Sequence, residues 1–381
     1  MQKFQEIDIL MDKLKILHVL SYNGKGGAET LAENLIDLQL KSSHTEFVHV
    51  LTFSNVNEVI KFSHSTKKFR HHHLFVNSKY SLIQYVQISL FIFRVIYKYS
   101  YDIINSHLLA PLYIFLFPIL LKSSKYVHTF HSQAEKELGS SKGSFHYFIR
   151  NFYYKRSNLI SISESVKNSI YLLYGIKSKL IFNGGLYEDI TNRIPENLLT
   201  KISNKTILLA VGHTRIVKNY ELLINSFKKI NDDCVLIILG SLVDNFKDYN
   251  IISERDNNIF FMGSVPNVQD YMKIADYLCM TSKHEGMPIT LLEAKANRLI
   301  PIVTPVRGIT DLVEHNYNGI ISKDLSTESF KFAIQEALNL SSVKKEFLKS
   351  NSKKEFQQLY SIEICSKNYL SFYKNIKNNK A

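Results

Sequence analysis

The chain has 381 residues, of which 45% are hydrophobic and 21% charged. This excludes a disordered or fibrous chain and leaves room for two domains, each with its own core. The net charge of +13 (47 basic against 34 acidic residues) points to an acidic partner: nucleic acid, an anionic membrane surface or a phosphorylated small molecule. Residues 1–190 carry 22 basic and 14 acidic side chains, so the surplus is larger in the first half but is not a basic tail.

Cys234, Cys279 and Cys365 match no zinc, redox or disulfide spacing, which suits a reducing compartment. The opening MQKFQEIDILMDKLK is too polar and too acidic for a signal peptide, so a cytoplasmic protein is expected. The longest apolar run, Leu108–Leu121, has 14 residues and holds Pro111 and Pro118. It is short of the roughly 20 residues that span a bilayer and reads as a buried helix over Leu109–Leu121.

In chain order, strands are predicted at Leu14–Leu20, Phe47–Phe53, Asp102–His107, Tyr126–Phe130, Leu159–Ser163 and Lys179–Phe182. Helices are predicted between them at Ala28–Lys41, Leu82–Tyr99, Phe145–Lys155 and Glu164–Tyr174. The triple histidine His71–His73 reads as a surface loop rather than a metal site, because no further ligand is evident. Asn183–Lys205 is polar and turn-rich and reads as a linker.

The rhythm then restarts. Strands are predicted at Thr206–Val211, Val235–Leu239, Ile259–Met262, Tyr277–Thr281, Ile300–Thr304 and Gly319–Ile321. Helices are predicted at Lys218–Ile230, Val268–Ala275, Ile289–Ala296 and Glu328–Leu338, and a polar helical tail covers Val343–Asn378. Alternating strands and helices give parallel sheets covered on both faces, hence an α/β protein with two doubly wound domains. The expected division is 1–186, with about 362–381 packing back on it, and 187–361. Such sheets bind ligands at the carboxyl ends of their strands, so a cleft between the two is expected.

Three segments carry chemistry. SYNGKGGAET (21–30) sets Gly24, Gly26 and Gly27 between a strand and a helix, either as a tight turn or as a loop that approaches a phosphate or sugar hydroxyl. It fits neither the dinucleotide nor the P-loop spacing. VGHTRIVKN (211–219) places Arg215 and Lys218 in a strand–helix loop, where a planar fork and a point charge suit a diphosphate. KHEGMPITLLEAKANRLIPIVT (283–304) sets Glu285 in a loop and Glu293 about one turn inside the next helix. Two carboxylates then face one ligand, with helix N–H groups between them for an anion; a capping role is the alternative for Glu293.

EGMPITLLEA resembles the E-x7-E motif of retaining glycosyltransferases of the GT-B fold, the family-four group. ILHVLSYNGKGGAET, YDIINSH, TFHS, ISISESV and LIFNG are similar, in order, to that family's first-domain landmarks, and the resemblance covers roughly residues 14–340. It implies two Rossmann-like domains facing a cleft and retention of anomeric configuration. It further implies that Glu293 meets the nucleotide ribose and Glu285 the donor sugar's hydroxyls. The loop Gly286, Met287, Pro288 and Ile289, with backbone N–H groups at Met287 and Ile289, would surround the diphosphate together with Arg215 and Lys218. Gly26 and Gly27 would border phosphate and acceptor, and the main chain at Val265 would meet the base. His131 would lie at the reaction centre, and His107 at the cleft side. Many relatives carry Arg where this chain has His213; the arginine stands two residues later, at Arg215.

No D-x-D triplet occurs, so no metal cofactor is expected. The expected partners are a UDP- or GDP-sugar donor and a glycan or lipid-linked acceptor, as in O-antigen or capsule assembly; nucleic acid is not expected. KGSFHYFIRNFYYKR (142–156) interleaves cations with rings, as a helix on an anionic membrane does, or as a core helix with a solvated basic face. It would make the protein peripheral at the inner face of the plasma membrane. Rival readings are a sugar-nucleotide epimerase or hydrolase of the same fold, or a non-catalytic sugar-nucleotide-binding partner.

Overall fold

The computed structural model describes residues 13–21, 26–54, 66–76, 81–137, 144–187, 194–230, 233–241 and 258–378. Gly24 of the glycine segment and residues 188–193 of the linker lie outside the described residues. The chain divides into two compact units, Met1–Asn183 with Ile362–Ala381, and Gly184–Ser361.

The first unit holds a seven-stranded parallel sheet. Its strands are β1 (Leu14–Ser21), β2 (Thr45–Ser54), β3 (Phe69–Phe75), β4 (Ile103–His107), β5 (Lys125–Phe130), β6 (Asn158–Ser161) and β7 (Lys179–Leu180), in the order β3-β2-β1-β4-β5-β6-β7. The helices α1 (Gly27–Lys41), α2 (Ser81–Tyr99), α3 (Pro111–Ile114), α4 (Phe117–Leu120), α5 (Phe145–Tyr154) and α6 (Glu164–Tyr174) connect them. β1 and β4 are buried almost throughout; β1 therefore reads as a mostly apolar run rather than an alternating one, while β4 also buries the polar Asn105, Ser106 and His107.

The second unit repeats the plan with six parallel strands in the order β10-β9-β8-β11-β12-β13. They are β8 (Thr206–Val211), β9 (Cys234–Leu239), β10 (Ile259–Gly263), β11 (Tyr277–Met280), β12 (Ile300–Val303) and β13 (Ile320–Ile321). Around them lie α7 (Glu196–Ile202), α8 (Tyr220–Phe227), α9 (Val268–Ile274), α10 (Ile289–Ala296), α11 (Thr327–Leu338) and α12 (Ser342–Glu355). Leu208, Leu236, Ile238, Ile300 and Ile302 from the strands meet Leu223, Phe330 and Ile334 from α8 and α11 in one core.

Four expectations need correction. Leu109–Leu121 is not one buried helix but the two short helices α3 and α4, with Leu116, Ile119 and Leu120 exposed. Pro118 cannot supply the N–H that a continuous helix needs, and it sits in the first turn of α4 instead. His71–His73 is not a loop; it is the middle of β3, paired to Val50, Leu51 and Thr52 of β2. β3 lies at the sheet edge and is half-buried, so its sequence lacks the apolar signature of the inner strands. The linker contains α7. The tail is broken by a π-helical turn at Phe356–Tyr360 and by extended Ser361, after which α13 (Ile362–Asn378) begins.

α13 belongs to the first unit. Asn105 Nδ2 donates to Tyr373 Oη at 2.8 Å, Lys377 pairs with Asp102 at 3.1 Å, and Tyr369 and Tyr373 are fully buried.

Candidate active site

In each sheet the strand order reverses at one point, between β8 and β11 in the second unit and between β1 and β4 in the first. Loops leaving two such strands part to opposite faces and open a crevice at their carboxyl ends.

In the second unit, the loop after β8 runs from Gly212 to Asn219 and that after β11 from Thr281 to Pro288. The two are stitched together: Lys283 N donates to Val217 O at 2.8 Å, and Thr281 Oγ1 to Lys218 O at 3.0 Å. Lys218 Nζ then reaches Glu285 Oε1 at 2.7 Å, and Ser282 Oγ donates to the same oxygen at 2.7 Å. Both charged side chains keep some exposure, 23% for Lys218 and 15% for Glu285. Two glycines make this geometry possible. Gly212, at φ +142°, turns the chain out of β8 where Lys218 folds over it. Gly308, at φ +83°, lies under the Glu285–Gly286 peptides, and any Cβ there would overlap their carbonyl oxygens.

Gly286, Met287, Pro288 and Ile289 are buried and lead into α10, whose N-cap, Pro288, offers no side-chain cap. Glu293 is half-buried on α10. The backbone of Gly185 packs against Leu292 and Glu293 so closely that a Cβ would clash. Arg215 is exposed, and its backbone opens the short helical turn 216–218 by accepting from Lys218 N at 2.8 Å. Lys218 and Glu285 are thus brought together; the Arg215 side chain is not tied to them. His213, at the position where relatives carry arginine, bonds through Nδ1 to Ser241 Oγ at 2.6 Å. Val265 is half-buried in the turn between β10 and α9.

In the first unit, β1 and β4 pair so that Leu20 lies beside His107. Leu109 N donates to Ser21 Oγ at 3.2 Å after a turn in which Leu108 takes φ 53°. His107 is fully buried and its Nδ1 lies 2.9 Å from His131 Nε2, just past β5. On the other side its Nε2 lies 3.1 Å from His18 Nδ1, and His18 Nε2 lies 2.9 Å from Gln39 Oε1 on α1. Burial lowers the pKa of all three rings, to about 4 for His18 and His131. His131 N donates to Glu137 Oε2 at 3.1 Å, and burial pushes that carboxyl up to about 8. Gly26 and Gly27 open α1, and Gly26 N donates to Glu29 Oε2 at 3.1 Å, so the helix's own carboxylate occupies its first donor. No group of three His, Cys, Asp or Glu among the described residues is arranged to hold a metal ion.

Two family models match the chain: Glycosyltransferase Family 4 over residues 25–184, and Glycosyl transferases group 1 over residues 196–355. The chain is a glycosyltransferase of the GT-B type. It is 25% identical to an uncharacterized glycosyltransferase of Methanocaldococcus jannaschii over 89% of its length and 92% of the relative's. It is 21% identical to the capsular polysaccharide biosynthesis glycosyltransferase CapH of Staphylococcus aureus, over 86% and 91%. A third relative is the N,N'-diacetylbacillosaminyl-diphospho-undecaprenol alpha-1,3-N-acetylgalactosaminyltransferase of Campylobacter jejuni (21% identical, 61% and 58%). Among solved structures, a glycosyltransferase of Rickettsia africae matches with a TM-score of 0.80 (20% identical, 97% and 100% covered). HepE of Anabaena in complex with UDP-glucose matches with 0.76 (15%, 95% and 100%).

The residues of this glycosyltransferase that sequence reading missed are His18, Gln39, Glu137, Ser282 and Gly308. His18 carries one local signal, a polar ring in the middle of an otherwise apolar strand. Gln39 and Gly308 have none, because their partners His18 and Glu285 lie on elements distant in sequence; Ser282 and Glu137 lie within a few residues of theirs, but nothing in that spacing marks the bond.

Proposed function

We propose that this glycosyltransferase moves a hexose-type sugar, with retention, from a UDP- or GDP-sugar to a glycan or lipid-linked acceptor in surface polysaccharide assembly. The carrying observation is the Lys218–Glu285 pair at 2.7 Å on the two loops that flank the β8/β11 crevice, one turn before α10. A departing nucleoside diphosphate builds negative charge. Lys218, Arg215 and the backbone N–H groups at Met287 and Ile289, at the start of α10, would stabilise it without a metal. Lys218 then shares its donors between Glu285 and a phosphate oxygen, which couples the two halves of the donor: Glu285 takes sugar hydroxyls while Lys218 takes phosphate. Glu293 on α10 would accept from the ribose and the main chain at Val265 would meet the base. In the first unit, Gly26 and Gly27 would border the acceptor, with His131 beside the reacting sugar and His107 behind it. The Anabaena complex with UDP-glucose supports the donor class, and the names of the Campylobacter and Staphylococcus relatives support a lipid-linked or capsular acceptor. Lys218→Ala should keep the fold and cut sugar transfer by about 100-fold, the scale of losing one transition-state charge contact. Wild-type turnover in that variant, measured with a panel of nucleotide sugars, would reject the phosphate role.

A second reading, contact with an anionic membrane, is favoured by α5. Phe145 and Phe148 are 75% and 61% exposed, while Ile149, Tyr153 and Tyr154 are buried. Lys155 and Arg156 follow directly, with the Arg156 guanidinium over the Phe152 ring at 3.8 Å. No helix among the described residues is long and apolar enough to cross a membrane. Phe145→Ser with Phe148→Ser should abolish co-sedimentation with phosphatidylglycerol vesicles; equal sedimentation of variant and parent would refute the contact.

A further inference from the structure

Gln39, His18, His107 and His131 form an unbroken line of side chains across α1, β1, β4 and the end of β5, with steps of 2.9, 3.1 and 2.9 Å. The first three are fully buried, and His131 keeps partial exposure. The ring centroids along the line are 5.4 and 5.2 Å apart.

A neutral imidazole has one N–H and one lone pair, and each N···N bond holds one proton. The order of protons along such a line is therefore fixed by its end. Gln39 presents Oε1, which only accepts, so His18 carries its proton on Nε2 and accepts on Nδ1. His107 then donates from Nε2 and accepts on Nδ1. His131 donates from Nε2, and its Nδ1, which has no bond to any described residue, is left as a lone pair. Turning the Gln39 amide by half a turn would reverse every proton in the line. Its Nε2, buried without a partner, marks the end at which that choice is made.

We propose that Gln39, acting through His18 and His107, fixes His131 as the Nε2–H tautomer, so that Nδ1 accepts a hydrogen bond from a sugar hydroxyl. This rests on the sugar-transfer reading above, with His131 beside the reacting sugar. The tautomer discriminates: a lone pair pairs with an O–H and repels a phosphate oxygen, whereas the opposite tautomer would attract phosphate. Gln39, His18 and His107 are positioning residues, and only His131 touches substrate.

Two-bond ¹H–¹⁵N spectra of histidine-labelled protein should show His131 protonated at Nε2. Gln39→Leu, which removes the fixed end, should give both tautomers of His131. It should lower kcat by about tenfold, the worth of one hydrogen bond, with donor Kd changed by less than about twofold. His18→Phe keeps the ring shape and should do the same. Wild-type His131 protonated at Nδ1 overturns the proposal, as does a folded Gln39→Leu protein with unaltered kcat. A wild-type protein that shows the Nε2–H spectrum but neither binds nor turns over any sugar nucleotide overturns the sugar-transfer reading instead, and with it the hydroxyl role.

Discussion

The two units share a strand plan but bury polarity in opposite ways. The first unit buries neutral rings: His18, His107 and His128 are fully enclosed, and His49, His71, His72, His73 and His131 also have pKa values lowered chiefly by burial. The second unit buries paired charges. Lys295 has no exposed side-chain surface and bonds Glu355 at 2.6 Å, and Lys218 bonds Glu285 at 2.7 Å. A neutral network survives only while its rings stay unprotonated. A charged pair tolerates mid-range pH but fails when either partner is removed.

The largest expected effect follows from this difference. An imidazole whose folded pKa is lowered contributes stability that is full above 6.5 and is lost as pH falls towards about 4. His18, lowered to about 4, thus costs the first unit about 2 kcal/mol at pH 5, and the other lowered rings add to it. Glu137 works the other way, because its raised pKa costs stability as pH climbs from its unfolded value to about 8. One carboxyl does not offset several rings. Limited proteolysis at pH 5 should therefore open peptides of the first unit while those of 184–361 stay protected; simultaneous loss of both would break the contrast.

The same contrast decides what could be read from the sequence. Glu285 and Glu293 lie eight residues apart in one loop and helix, so the candidate site's acidic half was legible from local spacing. So were the inner strands β8 and β11, whose burial on both faces leaves apolar runs, and β1, whose run is interrupted only by Lys15 and His18. The Lys218–Glu285 bond joins residues 67 apart and exists only because β8 and β11 are neighbours. The histidine line needs the order β1-β4-β5, which spacing does not encode. β3 was hidden for the complementary reason: an edge strand of three histidines has no apolar face to announce it. Pro118 was visible, but the apolar run around it weighed more than the break it imposes.

The smaller effect tests the charged side of the comparison and bears on α10, which carries Glu293. Lys295, on the same helix, is held by Glu355 of α12, and Asn318 Nδ2 donates to the same carboxylate at 2.8 Å. Glu355→Gln leaves a buried ammonium with a neutral partner and should destabilise the second unit by about 3 kcal/mol. The cause is separable from lost packing. Lys295→Met combined with Glu355→Met removes both charges and should recover most of the loss, since an apolar pair of similar volume avoids the desolvation cost. The exposed pair Lys229–Glu328 supplies the contrast, because both side chains are about half exposed and water already solvates them. Lys229→Ala should leave the thermal midpoint unchanged. If the double variant is as unstable as Glu355→Gln, the buried charge is not what the pair protects, and the distinction between the two units narrows to the histidines alone.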